Sequence, residues 1–322
     1  MKKARLIGNA GIKDITYGGH HYHRMLNADE NIGSNGENLT IMVLSCNRSE
    51  ATITLLESIE KNIPNFKGEI LIIDNNSSKK EKEKLNKKLN KLKMKNSFVE
   101  FEKNYGVASG RNRGVEHVKT DWFMSLDNDI YFTANPLEEI KNTISILGCH
   151  FLNIPLLDET KEKLFVNGGH IFLYNVYNDE TDTQDIHFGG GSLFECNEAK
   201  SGDIYEPSFG TFLFGGASIL KKETFIRLGK FDENMFVGFE DYDFSIEIFQ
   251  NGLKIGNLGL ICAVHNHKMP EKKDDIEYEK IRFSNEKLRE AGLYFEEKRN
   301  FKVWNKETEE WIKEKHKQMN IK

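Results

Sequence analysis

Leu39-Thr40-Ile41-Met42-Val43-Leu44 is an apolar run that stops at Ser45-Cys46-Asn47-Arg48. The run is too short for a helix and rich in side chains that suit a pleated strand. The next segment repeats differently. Ile53, Leu56, Ile59 and Ile63 recur at helical spacing, from a start near Ser49 to Pro64. Ile70-Leu71-Ile72-Ile73 is a second buried-strand candidate, closed by Asp74-Asn75-Asn76-Ser77-Ser78, whose short polar side chains bend the backbone. Further along, Lys79 to Lys95 reads as an amphipathic helix with Leu85, Leu89 and Leu92 on one face. Phe98 to Phe101 is a third strand, Ala108 to Val118 a short helix and Trp122 to Leu126 a fourth strand. Strands alternating with helices predict an α/β fold: a largely parallel sheet with right-handed crossovers.

That order brings polar clusters to one edge. Asn47-Arg48, Asp74-Asn75, Asn104-Tyr105-Gly106 and Asp127-Asn128-Asp129 each follow the carboxyl end of a predicted strand, where open parallel sheets bind ligands. From Pro136 to Pro207 the pattern loosens. Phe209 to Leu220 is apolar and interrupted by Gly215-Gly216, and Phe225 to Phe231 reads as a short helix and exit turn. A helix is predicted from Glu240 to Gln250, and a last strand from Ile255 to Val264. Ile276 to Lys322 reads as two charged helices, with Trp304 and Trp311 on one helical face packed against the main domain. Residues 1–38 are polar and glycine-rich, without a clean period.

Composition narrows the classes. The chain has 322 residues, 45 Lys and Arg against 50 Asp and Glu, and a net charge of −5, which argues against a nucleic-acid binder built on a basic face. No apolar run approaches the ~18 residues of a membrane span, and Met1 to Leu6 lead into no apolar segment, so neither an anchor nor a signal peptide is expected. The basic face of the Lys79–Lys95 helix is read as solvated, with peripheral membrane contact left open. Cys46, Cys149, Cys196 and Cys262 are too scattered for a zinc or redox pair and suit free thiols in a reducing, cytoplasmic setting. His20-His21-x-His23 resembles a ligand pattern but has no neighbouring acids, and is read as not a metal site.

Asp127 and Asp129 are the sharpest chemical feature. Two carboxylates one residue apart at a sheet edge can hold a hard divalent cation and leave positions open for phosphate oxygens. Glu240-Asp241 opens a helix, where acids are favoured by the macrodipole in any case. His265-Asn266-His267 ends the last predicted strand; imidazole nitrogen beside carboxylate favours Mn²⁺ over Mg²⁺.

Taken in order, these elements resemble the inverting family 2 glycosyltransferases, which have the GT-A fold. The resemblance rests on Ser45 to Arg48, Ile72 to Ser78, Asn104 to Gly114 and Asp127 to Asp129. It resumes at Phe214 to Ser218, Phe231 to Glu233 and Gly238 to Phe244. It implies a catalytic domain over 39–270, with a nucleotide-sugar half (39–135) and an acceptor half (136–270), between an extension at 1–38 and a helical one at 271–322. It leaves 136–207 without a match. It also implies roles. Ser45, Asn47, Arg48 and Asp74 would hold the nucleotide, with Asn75, Asn104, Arg111, Asp127 and Asn128 on the same side. Asp129 and Asp127, with His265 or His267, would hold the metal. Asp241, or failing it Glu240, would be the general base. The implied donor is a nucleotide-diphosphate sugar, a UDP-sugar above others, and the implied acceptor a glycan, a lipid-linked glycan or a peptide. A nucleotidyltransferase of similar fold and a non-catalytic nucleotide-sugar-binding module are the alternatives.

Overall fold

A computed structural model of the chain describes residues 14–17, 20–23, 30–178, 182–192, 197–267 and 273–319. A short antiparallel hairpin, β1 (Asp14–Tyr17) with β2 (His20–His23), comes first. Its backbone is described and its side chains are not, so the His20, His21 and His23 pattern lies outside the described residues, as does Cys196.

The apolar runs become β3 (Leu39–Ser45), β4 (Glu69–Asp74), β5 (Asn96–Glu100) and β6 (Trp122–Asp127). They are connected by α1 (Ser49–Asn62), α2 (Lys79–Leu89) and α3 (Gly106–Glu116). β7 (Ile130–Phe132) and α4 (Leu137–Leu147) lead to the short strands β8 (Phe151–Asn153), β9 (Leu156–Leu157) and β10 (Leu164–Val166). A long hairpin of β11 (Gly169–Asn178) and β12 (Thr183–Ser192) comes next. β13 (Ser208–Gly210), β14 (Ala217–Lys221), α5 (Lys222–Arg227), α6 (Glu240–Gln250), β15 (Ile255–Asn257) and β16 (Ala263–His265) complete the central body.

The main sheet runs β13-β15-β8-β14-β6-β3-β4-β5. β5, β4, β3 and β6 are mutually parallel, and β8 pairs parallel with β15. β14 runs antiparallel to both β6 and β8, and β13 to β15. The strands are apolar at nearly every position because both faces are covered. Ile41, Val43, Ile70 and Ile72 pack with Leu55, Ile59, Leu85 and Ile140 of α1, α2 and α4. Met42, Leu71, Ile73 and Phe123 point the other way, onto Ala108, Phe225, Phe244 and Ile248 of α3, α5 and α6.

Several expectations need correction. The single strand expected over Ile255–Val264 is two strands in two sheets: β15 in the main one, β16 in a smaller one ordered β10-β9-β16-β7. The chain crosses between them at Gly259, where the Tyr205 carbonyl leaves no room for a Cβ, and continuous burial hid the break. The two helices expected after Ile276 are three, α7 (Lys273–Arg282), α8 (Asn285–Arg299) and α9 (Lys306–Gln318). Ser284 and Asn305 cap α8 and α9 by accepting from Lys287 N and Thr308 N. Trp304 therefore precedes α9 and shares no helical face with Trp311. Its ring lies over Gly292 of α8, while Trp311 is half-exposed and meets the edge of Phe283. Of the helix and exit turn expected over Phe225–Phe231, the helix, α5, starts three residues earlier, and the turn is there, with positive φ at Gly229 and Lys230. Leu92 is buried past the end of α2, not on it.

Candidate active site

The carboxyl ends of β3, β4 and β6 are level, since Ser45 pairs with Asp74 and Leu44 with Asp127. Above this edge lies a cavity of about 310 Å³, walled by Ser45, Asn75, Asn104, Arg111, Asp127, Asn128, Asp129, Glu240 and Asp241 among others. Asn75 is fixed there by donating to Asn104 Oδ1 and to the Gly106 carbonyl. Asn47 and Asp74 sit to one side. Asn47, at φ 57°, accepts from Ser78 N, and the buried Asp74 accepts from Ser77 N with Lys82 at 3.5 Å.

β16 stands behind Asp129, which lines the cavity. It runs antiparallel to β7, with His265 opposite Ile130, and Asn266 N donates to the Asp129 carbonyl at 2.8 Å. His265 Nε2 thereby comes within 3.4 Å of Asp129 Oδ1, and His267 Nδ1 within 3.3 Å of Oδ2. The three donor atoms lie within 4.8 Å of one another. Phe165 holds the His265 ring, centroids 4.4 Å apart. Burial opposes the Asp129 charge, but the two imidazoles and Arg48, whose Nη1 is 3.1 Å away, hold the carboxyl well below its usual range.

This group fits a divalent cation. Asp129 Oδ1 and His265 Nε2 are both buried, face each other and have no hydrogen-bond partner. Such orphaned atoms are costly unless something between them is bound. One carboxylate and two imidazoles are a donor set for Mn²⁺ rather than Mg²⁺. Asp127, expected beside Asp129 as a ligand, is not in the group. Its carboxylate accepts from Arg111 Nη2 at 2.7 Å. β6 ends at Asp127 and the turn at 128–129 carries Asp129 away from it, so Arg111 of α3 takes up Asp127 alone.

Arg111 ties the two ends together. It is buried, and its Nη1 reaches Glu240 Oε1 at 3.2 Å. Burial disfavours its charge, but Asp127 and Glu240 outweigh that and raise the guanidinium further. Gly215 and Gly216 make room. A Cβ at the first would meet Arg111 Nη1 at 2.7 Å, and one at the second the Asp127 carboxylate.

Glu240 and Asp241 begin α6, after two residues in the left-handed region, Gly238 (φ 79°) and Phe239 (φ 70°). For a phenylalanine that conformation is strained, and the ring of Phe239 is held by Phe295 of α8. Burial raises both carboxyls and Arg111 restrains both; Asp241 also takes the repulsion of Glu240 and rises to about 7. Asp243 faces away and accepts from Lys298 and Arg299 of α8.

The far wall was not legible in the sequence. Arg282, Leu288 and Trp311 of the C-terminal helices line the cavity with Phe283 between α7 and α8, and Glu279 of α7 stands beside His267. An acid or arginine within a charged helix carries no local sign of such a place.

Residues 40–182 match the family model described as Glycosyl transferase family 2, which takes in 136–182 where no resemblance was expected. Glu240, Asp241, His265 and His267 lie beyond the match. Similar solved structures include the crystal structure of GalNAc-T7 with UDP, GalNAc and Mn²⁺, at 17% identity and TM-score 0.52, covering 76% of this chain and 48% of that one. S. aureus TarS matches at 16% identity and TM-score 0.50, covering 77% of this chain and 39% of that one. TarS 1-349 in complex with UDP matches at 15% identity and TM-score 0.50, covering 82% and 72%. The chain thus spans half or less of the length of the first two. At these identities the likeness shows the fold, that of the GT-A glycosyltransferases. No curated protein sequence matches the chain.

Proposed function

We propose, with the glycosyl transferase family 2 segment at residues 40–182 as the premise, that the protein moves a sugar from a nucleoside diphosphate donor to an acceptor hydroxyl, with inversion. UDP is the nucleotide expected, on the UDP held by GalNAc-T7 and by TarS 1-349. The acceptor is a glycan, a lipid-linked glycan or a peptide. The observation that carries the reading is one cavity with a cation-type group at one end, Asp129 with His265 and His267, and a raised carboxyl, Asp241, lining the same space.

Each residue has work suited to its surroundings. Asp129, His265 and His267 would hold the cation, whose contribution is to neutralise charge gathering on the leaving diphosphate. Asn104 lines the nucleotide side of the cavity, braced by Asn75. Arg111 holds Asp127 and Glu240 in place through its two ion pairs, and a fixed wall needs no reorganisation during the reaction. Asp241 has no arginine within ion-pair distance among the described residues, and it takes the acceptor proton. The acceptor oxygen then bonds to the anomeric carbon as the bond to the diphosphate oxygen breaks. A base with a pKa near the working pH suits that transfer.

Among the described residues no helix is long and apolar enough to cross a membrane. The scattered cysteines, without a CxxC pair, fit a reducing, cytoplasmic location.

Calorimetric titration of UDP with and without Mn²⁺ tests the metal half of the reading. Wild type should bind at least about tenfold tighter with metal, a difference of ~1.4 kcal/mol, and Asp129→Asn should lose that gain. Equal affinity in all four titrations would overturn it. Incubation with UDP-sugars and Mn²⁺ tests the reaction: slow donor hydrolysis marks a transferase, pyrophosphate exchange a nucleotidyltransferase, and binding without turnover a binding module.

A further inference from the structure

The metal site leaves one neighbouring buried acid unused. Glu279, on α7, is 2% exposed, and its Oε2 has no hydrogen-bond partner. Its Oε1 lies 3.9 Å from His267 Nε2 and 4.0 Å from Arg48 Nη1. A buried carboxylate with an idle oxygen is expensive, so its place beside the histidine calls for a role.

The two nitrogens of His267 face different neighbours. Nδ1 is 3.3 Å from Asp129 Oδ2 and 3.1 Å from Arg282 Nη1. Asp129 Oδ2 can only accept and Arg282 Nη1 can only donate, so Nδ1 is open to a cation only when the ring proton sits on the other nitrogen. That nitrogen is Nε2, which faces Glu279. An imidazole that binds a cation through one nitrogen regularly gives the hydrogen of the other to a carboxylate, which fixes the tautomer and the ring plane.

We propose that Glu279 is the positioning residue for His267. It accepts from Nε2–H and turns the Nδ1 lone pair toward Asp129 and the cation, so that α7 of the C-terminal helices completes the metal site. A contraction of about 1 Å brings Oε1 into hydrogen-bond range of Nε2. This inference rests on the metal site of the proposed function and adds to it a residue 150 positions from Asp129 that is not among those lining the cavity.

Two measurements on the full chain test it. In the metal-free protein, ¹⁵N-histidine NMR should show His267 as the Nε2–H tautomer, and Glu279→Ala should mix in the other tautomer. Mn²⁺ titration followed by the EPR signal of the free ion should show a dissociation constant about 10–100-fold higher in Glu279→Ala. Glu279→Gln keeps an acceptor oxygen and should recover most of both, which a generally loosened helix would not. It also serves as the variant if Glu279→Ala does not fold. Unchanged tautomer and Mn²⁺ affinity in both variants, with binding intact in wild type and lost in Asp129→Asn, would overturn this inference alone. A wild type that binds no Mn²⁺ would overturn the metal site and this inference together.

Discussion

Asp241 is the residue on which chemistry and stability pull in opposite directions. Burial and the Glu240 charge lift its carboxyl from 3.8 to about 7. A raised carboxyl holds its proton more tightly folded than unfolded. The stability this supplies is present below about pH 4 and is lost as pH climbs through about 7. The base, however, works only once that proton has gone. We therefore expect kcat/KM to rise with pH and level off above about 7 in wild type. Asp241→Asn should flatten the profile and lower the rate by about 10²–10⁴. The same substitution should raise Tm relative to wild type at pH 8 and leave it nearly unchanged at pH 4. A mutant active near the wild-type rate, with Glu240→Gln inactive instead, would move the role to Glu240. Asp241 is the second residue of α6 and not its cap, so a change in capping gives no such pattern.

At the scale of elements, α3 shows how a short motif acquires meaning. Gly110 and Gly114 lie one turn apart on the face that meets the sheet. A Cβ on Gly110 would sit 3.0 Å from Leu44, and one on Gly114 would sit 2.8 Å from Met42 Sδ and 2.9 Å from Ile73. The two glycines let α3 settle onto β3 and β4, which sets Arg111 between Asp127 and Glu240. Alanine in a helix interior gains about 1 kcal/mol over glycine, but overpacking a close contact costs about 1–3 kcal/mol. Gly114→Ala should thus lose about 1 kcal/mol in urea unfolding. A stabilised mutant would mean that α3 can lift freely. The sequence was readable where one element decided the outcome. The buried runs of β3, β4 and β6 and the span of α6 from Glu240 to Gln250 needed only local pattern. It was unreadable where two distant pieces decided. Asp127 and Asp129 look equivalent in the chain, and only α3 and β16 send one to an arginine and the other to two histidines. The continuous apolar character of 255–264 likewise gave no sign that β15 and β16 belong to different sheets.

At the scale of the molecule, the three C-terminal helices are bound into the body by charge and by apolar contact. Asp243 of α6 takes Lys298 and Arg299 of α8, and Asp232 takes Lys298 and the Tyr294 hydroxyl. Phe295 and Ala291 bury against Phe188, Met235 and Ile246. The chain after α8 also lies along β12: Lys302 N donates to the Ile186 carbonyl, and Phe188 N to that of Lys302. In effect the last fifty or so residues occupy the bonding edge of a strand that would otherwise offer itself to any passing chain. A gene shortened after His267 would uncover that edge together with the ring of Phe188. The product should gather into inclusion bodies and scatter light on refolding, whereas the full chain stays dispersed. A shortened protein that remained monomeric in sedimentation would show that the central body shields itself. On this account the tail is also a guard against self-association, written into the same residues that roof the cavity.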